Sequence, residues 1–141
     1  MNWKRETVEK LKRYRAVAHA VQSIRMELAN VEQEAGILSS HRGKLTPKAR
    51  KEQDNRLLDL QMKHGELVRC LDCAQNWVTL TDNGLAQLSE EERSLLIGLY
   101  IDLESPRTLY LRKNIDRSSL YRHRNKALKH LTLAMYGMLE S

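Results

Sequence analysis

The sequence contains no phenylalanine, only two prolines (Pro47 and Pro106) and six glycines in 141 residues. With so few helix breakers, and with Leu, Ala, Glu, Lys and Arg dominant, most of the chain is able to form helix, and an all-α fold is expected. Long apolar runs are also missing. Nothing approaches the ~20 residues that cross a bilayer, and the opening MNWKRETVEKLKRYR lacks the apolar core of a secretion signal. The expectation is a protein of the cytoplasm with no membrane partner. Cysteine is limited to Cys70 and Cys73. Their i, i+3 spacing places both on one helix face, and no second Cys or His pair follows to complete a tetrahedral site. No metal and no cofactor are expected, and the pair reads as two small residues near a helix seam. A Gly-rich phosphate loop and a nucleophilic Ser in a strand-turn-helix setting are missing as well, so no enzymatic role is expected.

Positive charge is present, and it is unevenly placed. Of the 24 Lys and Arg and 18 Asp and Glu, residues 106–141 hold eight basic against two acidic, which accounts for the whole net charge of +6. A basic segment attached to a neutral one is suited to a polyanion, because each cation laid on a phosphate releases a condensed counterion.

Apolar residues recur in two rows with heptad spacing, Tyr14, Val21, Leu28 and Ala35 in one and Val17, Ile24, Val31 and Leu38 in the other. Trp3, Val8 and Leu11 continue the stripe in a shifted phase. SSHRGKLTP interrupts it, with Thr46 as an N-cap and Pro47 as a first helical residue. A second stripe through Leu57, Leu60, Leu67, Leu71, Ala74 and Val78 is expected to stop near Thr81-Asp82-Asn83-Gly84, with Gly84 left-handed. Two such helices, each roughly 50 Å long at 1.5 Å per residue, should fold back as an antiparallel, coiled-coil-like hairpin over residues 1–82. His64 interrupts the second seam and reads as an interior or rim histidine.

From Leu85 the pattern changes. Ser89-Glu90-Glu91-Glu92 is a capping box opening a helix through Leu95, Leu96, Leu99 and Tyr100. Ser105-Pro106 starts a short helix with Leu109, Tyr110 and Leu111. Lys113-Asn114-Ile115-Asp116 is a turn in which Asn114 tolerates positive φ, Ile115 is an apolar plug and Asp116 an N-cap. The last helix should run from Arg117 to about Tyr136 and end at Gly137. On a 100° wheel Leu120, Ala127, Leu131 and Met138 share one side with Leu128 and Met135 on its flank, and Ser118, Arg122, Asn125 and Lys129 share the other.

Short helix, tight turn and capped second helix form a helix-turn-helix, so residues 85–141 are expected to be a three-helix DNA-binding domain. Arg117, Ser118, Tyr121, Arg122 and Asn125, near the start of the recognition helix, are the candidates for base contacts, since Arg bridges guanine O6 and N7 and Asn bridges adenine N6 and N7. Ser119, Lys126, Lys129, Arg107, Arg112 and Lys113 are candidates for phosphate. Arg124 falls toward the apolar side, where it is expected to snorkel or to pair with an acid such as Glu92.

LAQLSEEERSLLIGLY resembles the opening of region 4 of sigma factors, and NIDRSSLYRHRNKALKHL is similar to the helix-turn-helix of that region. The Leu-Tyr-Arg-His-Arg-Asn-Lys-Ala-Leu run ending in AMYG resembles the phage late-gene activators of the ArpU and RinA type. Asn114 stands where that family usually has Gly, and Lys113 where it commonly has a buried Leu. The resemblance covers Leu85 to Gly137. It implies a phage or prophage transcription regulator in a bacterial host cell that binds double-stranded DNA, with RNA polymerase or a second copy of the chain as further partners. The other readings are a phage small terminase subunit, which assembles rings on packaging sites, and a coiled-coil adaptor whose basic end binds an acidic protein.

Overall fold

The computed structural model describes residues 1–137, in which every regular element is helical. Met138, expected on the apolar side of the last helix, lies outside the described residues. The elements are α1 (Trp3–Ser40), a 3-10 turn (Arg42–Lys44), α2 (Pro47–Ala86), α3 (Glu90–Leu96) running into a π-helical segment (Ile97–Ile101), α4 (Pro106–Arg112) and α5 (Arg117–Tyr136). They form two compact units. One is Ala18–Gln75, and the other joins Met1–Val17 to the chain from Asn76 onward.

In the Ala18–Gln75 unit, α1 and α2 pair antiparallel along the heptad rows. Val21, Val31 and Leu60 are buried, while Ile24, Leu28, Ala35, Leu38, Leu57, Leu67 and Leu71 are half-buried. The seam is thus satisfied within one chain. Ion pairs at its edges fix the register. Lys63 Nζ lies 2.6 Å from Glu27 Oε1, and Arg56 donates from Nε and Nη2 to the two oxygens of Glu34 at 2.8 and 3.0 Å. His64 Nε2 sits 3.1 Å from Glu32 Oε1, which makes it a rim histidine. Exposed pairs like these contribute roughly 0–1 kcal/mol each, so buried leucine and valine hold the unit and the charges choose the alignment. At the turn, the Gln53 side-chain amide donates to the Leu38 carbonyl and Thr46 Oγ1 accepts from the Ala49 N–H at 3.2 Å. The cap expected before Pro47 is present.

The other unit is built on a core of Leu11, Leu85, Leu88, Leu96, Ala127, Leu128, Leu131 and Met135. Its first element is the start of α1, whose Trp3 ring lies 4.8 Å from that of Tyr136 and whose Lys10 Nζ lies 4.8 Å from the Trp77 ring centroid. Tyr14 donates its hydroxyl to Asp82 at 2.6 Å, and that carboxylate pushes the phenol pKa up to about 12. Thr132, fully buried on α5, lies 2.9 Å from the Thr7 hydroxyl.

Gly84 departs from expectation. It does not end α2, which continues to Ala86. It is buried beneath α5, and a Cβ built there would lie 2.6 Å from Met135 Cγ and 2.9 Å from Leu131 Cδ1. The residue is glycine because a second helix passes over it, and the chain turns only after Ala86.

The capping box performs largely as the sequence implies. The Ser89 hydroxyl accepts from the Glu92 N–H and donates to the Glu92 carboxylate, each at 3.2 Å. The helix that follows does reach Leu99 and Tyr100, but through a wider turn in which the Asp102 N–H donates to the Ile97 carbonyl at 2.8 Å. Gly98 lies inside that turn, where a Cβ would meet Leu109 Cδ2 at 2.9 Å. A second small core of Leu95, Leu109 and Leu120, flanked by Leu99, Tyr110 and Ile115, therefore closes around α4.

Candidate nucleic-acid interface

The turn between α4 and α5 is set by three local features. Asn114 adopts φ 55°, the left-handed region that asparagine tolerates. Ile115 packs into the Leu95–Leu109–Leu120 core and donates its N–H to the Tyr110 carbonyl at 3.0 Å. Asp116 caps α5 by accepting the Ser119 N–H at 2.6 Å. At its other end α5 stops at Gly137, with φ 70°. The helix is held at both ends, and Leu120, Ala127, Leu128, Leu131 and Met135 are buried along one side.

The Ser119 N–H holds the Asp116 carboxyl below its ordinary range. Because folding lowers this pKa, the cap adds stability above the unfolded value of ~3.9 and loses it as the pH falls through the folded one. Asp116→Asn keeps a capping oxygen but has no titration of its own. The melting temperature of the natural protein should therefore fall more steeply on acidification below about pH 4 than that of the variant. Parallel slopes in paired melts would assign the acid sensitivity to other carboxylates.

The remaining face of α5 is open. Ser118, Arg122, Asn125 and Lys129 are exposed, as are Arg117 and Lys126 on its flanks. Arg122 Nη2 donates to Ser119 Oγ at 3.0 Å, which partly buries Ser119 and steadies the guanidinium along the helix. Half-buried Tyr121 has the Arg117 guanidinium 5.5 Å from its ring centroid and that of Arg124 at 4.8 Å. Such contacts orient cations while leaving their charge in place. Arg124 does not pair with Glu92. It lies over Tyr121 and donates from Nη2 to Asn125 Oδ1 at 3.2 Å, and Glu92 instead meets His130 Nδ1 at 2.6 Å. The arginine that sequence position alone made awkward is thus a positioning residue for both Tyr121 and Asn125.

The basic residues of α4 divide. Arg107 is exposed near the start of the helix. Arg112 Nη1 is engaged by Glu104 at 2.8 Å, and Lys113 folds back with its Nζ 3.4 Å from Ser94 Oγ. Lys113 is half-buried, with its ammonium held at the Ser94 hydroxyl. A groove of about 410 Å³ lies beside it, lined in part by Glu91, Glu92, His123 and Lys126. Its lining is mixed in charge, with Lys113 and Lys126 set against the two glutamates. His123, between Arg122 and Arg124, is also exposed on α5, and its place in that run is the one sequence signal that points to it.

Among the described residues no group of three or more His, Cys, Asp or Glu side chains is placed to hold a metal ion. Cys70 and Cys73 are both exposed rather than set in the helix seam. Among the described residues no helix is long and apolar enough to cross a membrane. In comparisons with known proteins, no family model, no curated protein and no solved structure matches the chain.

Proposed function

We propose that the chain is a sequence-specific DNA-binding transcription regulator in which α4 and α5 form the helix-turn-helix and α5 enters the major groove. The observation that carries this reading is the division of α5 into a buried side and an exposed side of Ser118, Arg122, Asn125 and Lys129. A rigid helix offering two cations, an amide and a hydroxyl on one face matches what base edges and phosphates require. Its likeness to the ArpU and RinA type of phage late-gene activator supports the same class. In that role Arg122 and Asn125 read bases, Lys129, Lys126 and Arg107 meet phosphates, and Tyr121 with Arg117 and Arg124 shapes the edge of the reading surface. Arg112 and Lys113 serve DNA less directly, because their charges already have partners in the protein. Double-stranded DNA is the primary ligand, with RNA polymerase as a further partner of the regulator.

Selection of bound sequences from a random duplex pool, followed by titration of the selected site and of random DNA, tests the proposal. Arg122→Ala should weaken the selected site by roughly 1–3 kcal/mol and relax preference at one base position. Lys129→Ala should weaken both duplexes alike and reduce the salt dependence by about one counterion. Recovery of no preferred sequence, with no binding to any duplex at moderate salt, would remove the reading.

A further inference from the structure

The near-neutral charge of the Ala18–Gln75 unit conceals a segregation along its length. Residues 42–51, which span the turn and the first residues of α2, hold five Lys and Arg and no Asp or Glu. The rest of the unit holds four basic against eight acidic residues. The hairpin is therefore an acidic pair of helices with a cationic tip. Lys44, Lys48, Arg50 and Lys51 are all exposed. Among the described residues none of these four has an ion-pair partner, whereas Arg56 and Lys63, further along α2, are paired with Glu34 and Glu27. The backbone beneath them is ordered. The Lys44 N–H donates to the His41 carbonyl at 3.2 Å, Thr46 Oγ1 caps α2, and Pro47 fixes its first residue.

This placement opposes the needs of the helix. Lys48, Arg50 and Lys51 lie in or beside the first turn of α2, which has no acidic residue, so they add to the positive end of the helix dipole instead of offsetting it. The favourable arrangement is the one in α3, whose first turn carries Glu90, Glu91 and Glu92. Like charges gathered at the tip cost stability in the free protein, and an anionic partner reverses the sign. The tip also lacks apolar anchors. Within residues 41–51 the only large aliphatic side chain, Leu45, is half-buried, and Phe, Tyr and Trp do not occur. Helices that lie in a headgroup layer use apolar side chains, and protein partners meet over an apolar centre. A phosphate backbone is satisfied by exposed cations alone.

We infer that the hairpin tip, residues 44–51, is a second and sequence-independent contact for the phosphate backbone of duplex DNA. The choice of DNA as the polyanion rests on the proposed role of α5, but the tip reads no base and acts through charge alone. Lys44, Lys48, Arg50 and Lys51 each neutralise a phosphate, and the acidic residues behind them keep the rest of the hairpin off the duplex.

Titration of the full chain with a random duplex between roughly 50 and 200 mM salt reads the tip directly, because each phosphate contact adds about 0.9 to the slope of log affinity against log salt. The combined Lys44→Gln, Lys48→Gln, Arg50→Gln and Lys51→Gln variant should lower that slope by about three and weaken binding at least about tenfold. Glutamine is as good a helix former as lysine or arginine, so the fold is kept. The variant should hold its base preference at a selected site. Its melting temperature in low salt should rise, since repulsion at the tip is least screened there. Lys44→Arg, Lys48→Arg and Lys51→Arg together should retain the natural slope. An unchanged slope in the glutamine variant would overturn the tip contact and leave the reading of α5 intact. A lowered melting temperature, or a loss of binding confined to phosphatidylserine vesicles, would overturn it as well. A fall in slope with no preferred sequence in the random pool would instead remove the reading of α5 and keep the tip.

Discussion

Gly84→Val should lower the unfolding free energy by about 2–3 kcal/mol, the cost of forcing extra methyl groups into a filled space. The effect arises almost wholly from packing. Valine is a better helix former than glycine, and the same helix offers a control in Gly65, where an added Cβ meets nothing nearer than Arg69 Nη1 at 3.6 Å. Gly65→Ala should stabilise by roughly 0.5–1 kcal/mol, so the two substitutions in α2 should move the melting temperature in opposite directions. At Gly84 the obstructing atoms are Met135 Cγ and Leu131 Cδ1, both on α5. The methionine Cγ is close to its own backbone and yields less than a chain terminus would. Valine therefore pushes α5 away from the core that fixes its position. A melt showing Gly84→Val as stable as the natural protein would mean that α5 crosses α2 at a greater distance than described.

Leu120→Ala should cost about 3 kcal/mol, within the range for emptying a leucine site in a well-packed core. Leu120 is 1% exposed and joins Leu95 of α3 and Leu109 of α4 to α5 in a cluster of only three buried residues. A cluster that small has few neighbours able to relax into the cavity. Loss of Leu120 should therefore loosen the α4–α5 turn before it unfolds the leucine core under α2. Binding to a selected duplex should fall sharply at warm temperatures and partly recover on cooling, although no exposed residue of α5 has changed. Binding unaffected at all temperatures, beside a lowered melting temperature, would show that the turn geometry does not control the α5 surface.

The parts of the fold that can be read from sequence are those set by neighbours three or four residues apart. Ser89, Ser105 and Asp116 cap helices because each oxygen needs only the N–H three residues on, and Asn114 and Gly137 adopt positive φ where the turn and the helix end call for it. The heptad rows are legible for the same reason. Gly84 illustrates the boundary of that reasoning. Taken locally, Thr81-Asp82-Asn83-Gly84 is a good stop signal. It is overridden by burial against residues of α5 some fifty positions away. The π turn at Ile97–Ile101 is likewise a tertiary feature, tied to the approach of Leu109 onto Gly98. For the candidate site, wheel geometry separates the open face of α5 from its buried face, since burial there follows the period of the helix. Wheel geometry does not reveal that Glu104 neutralises Arg112, that Lys113 reaches Ser94, or that Arg124 lies on Tyr121. Each depends on where a different element ends.

The compact unit that carries α5 draws its core from both sides of the Ala18–Gln75 segment. A fragment cut at Leu85, the place where the sequence changes character, would leave behind Leu11, Thr7 and Trp3, which cover Leu131, Thr132 and Tyr136. The truncated piece would present a greasy flank in place of a closed core and would tend to clump. Excising the intervening segment and joining Val17 to Asn76 through a short tight linker keeps those residues, and is the smaller protein with the better prospect of folding.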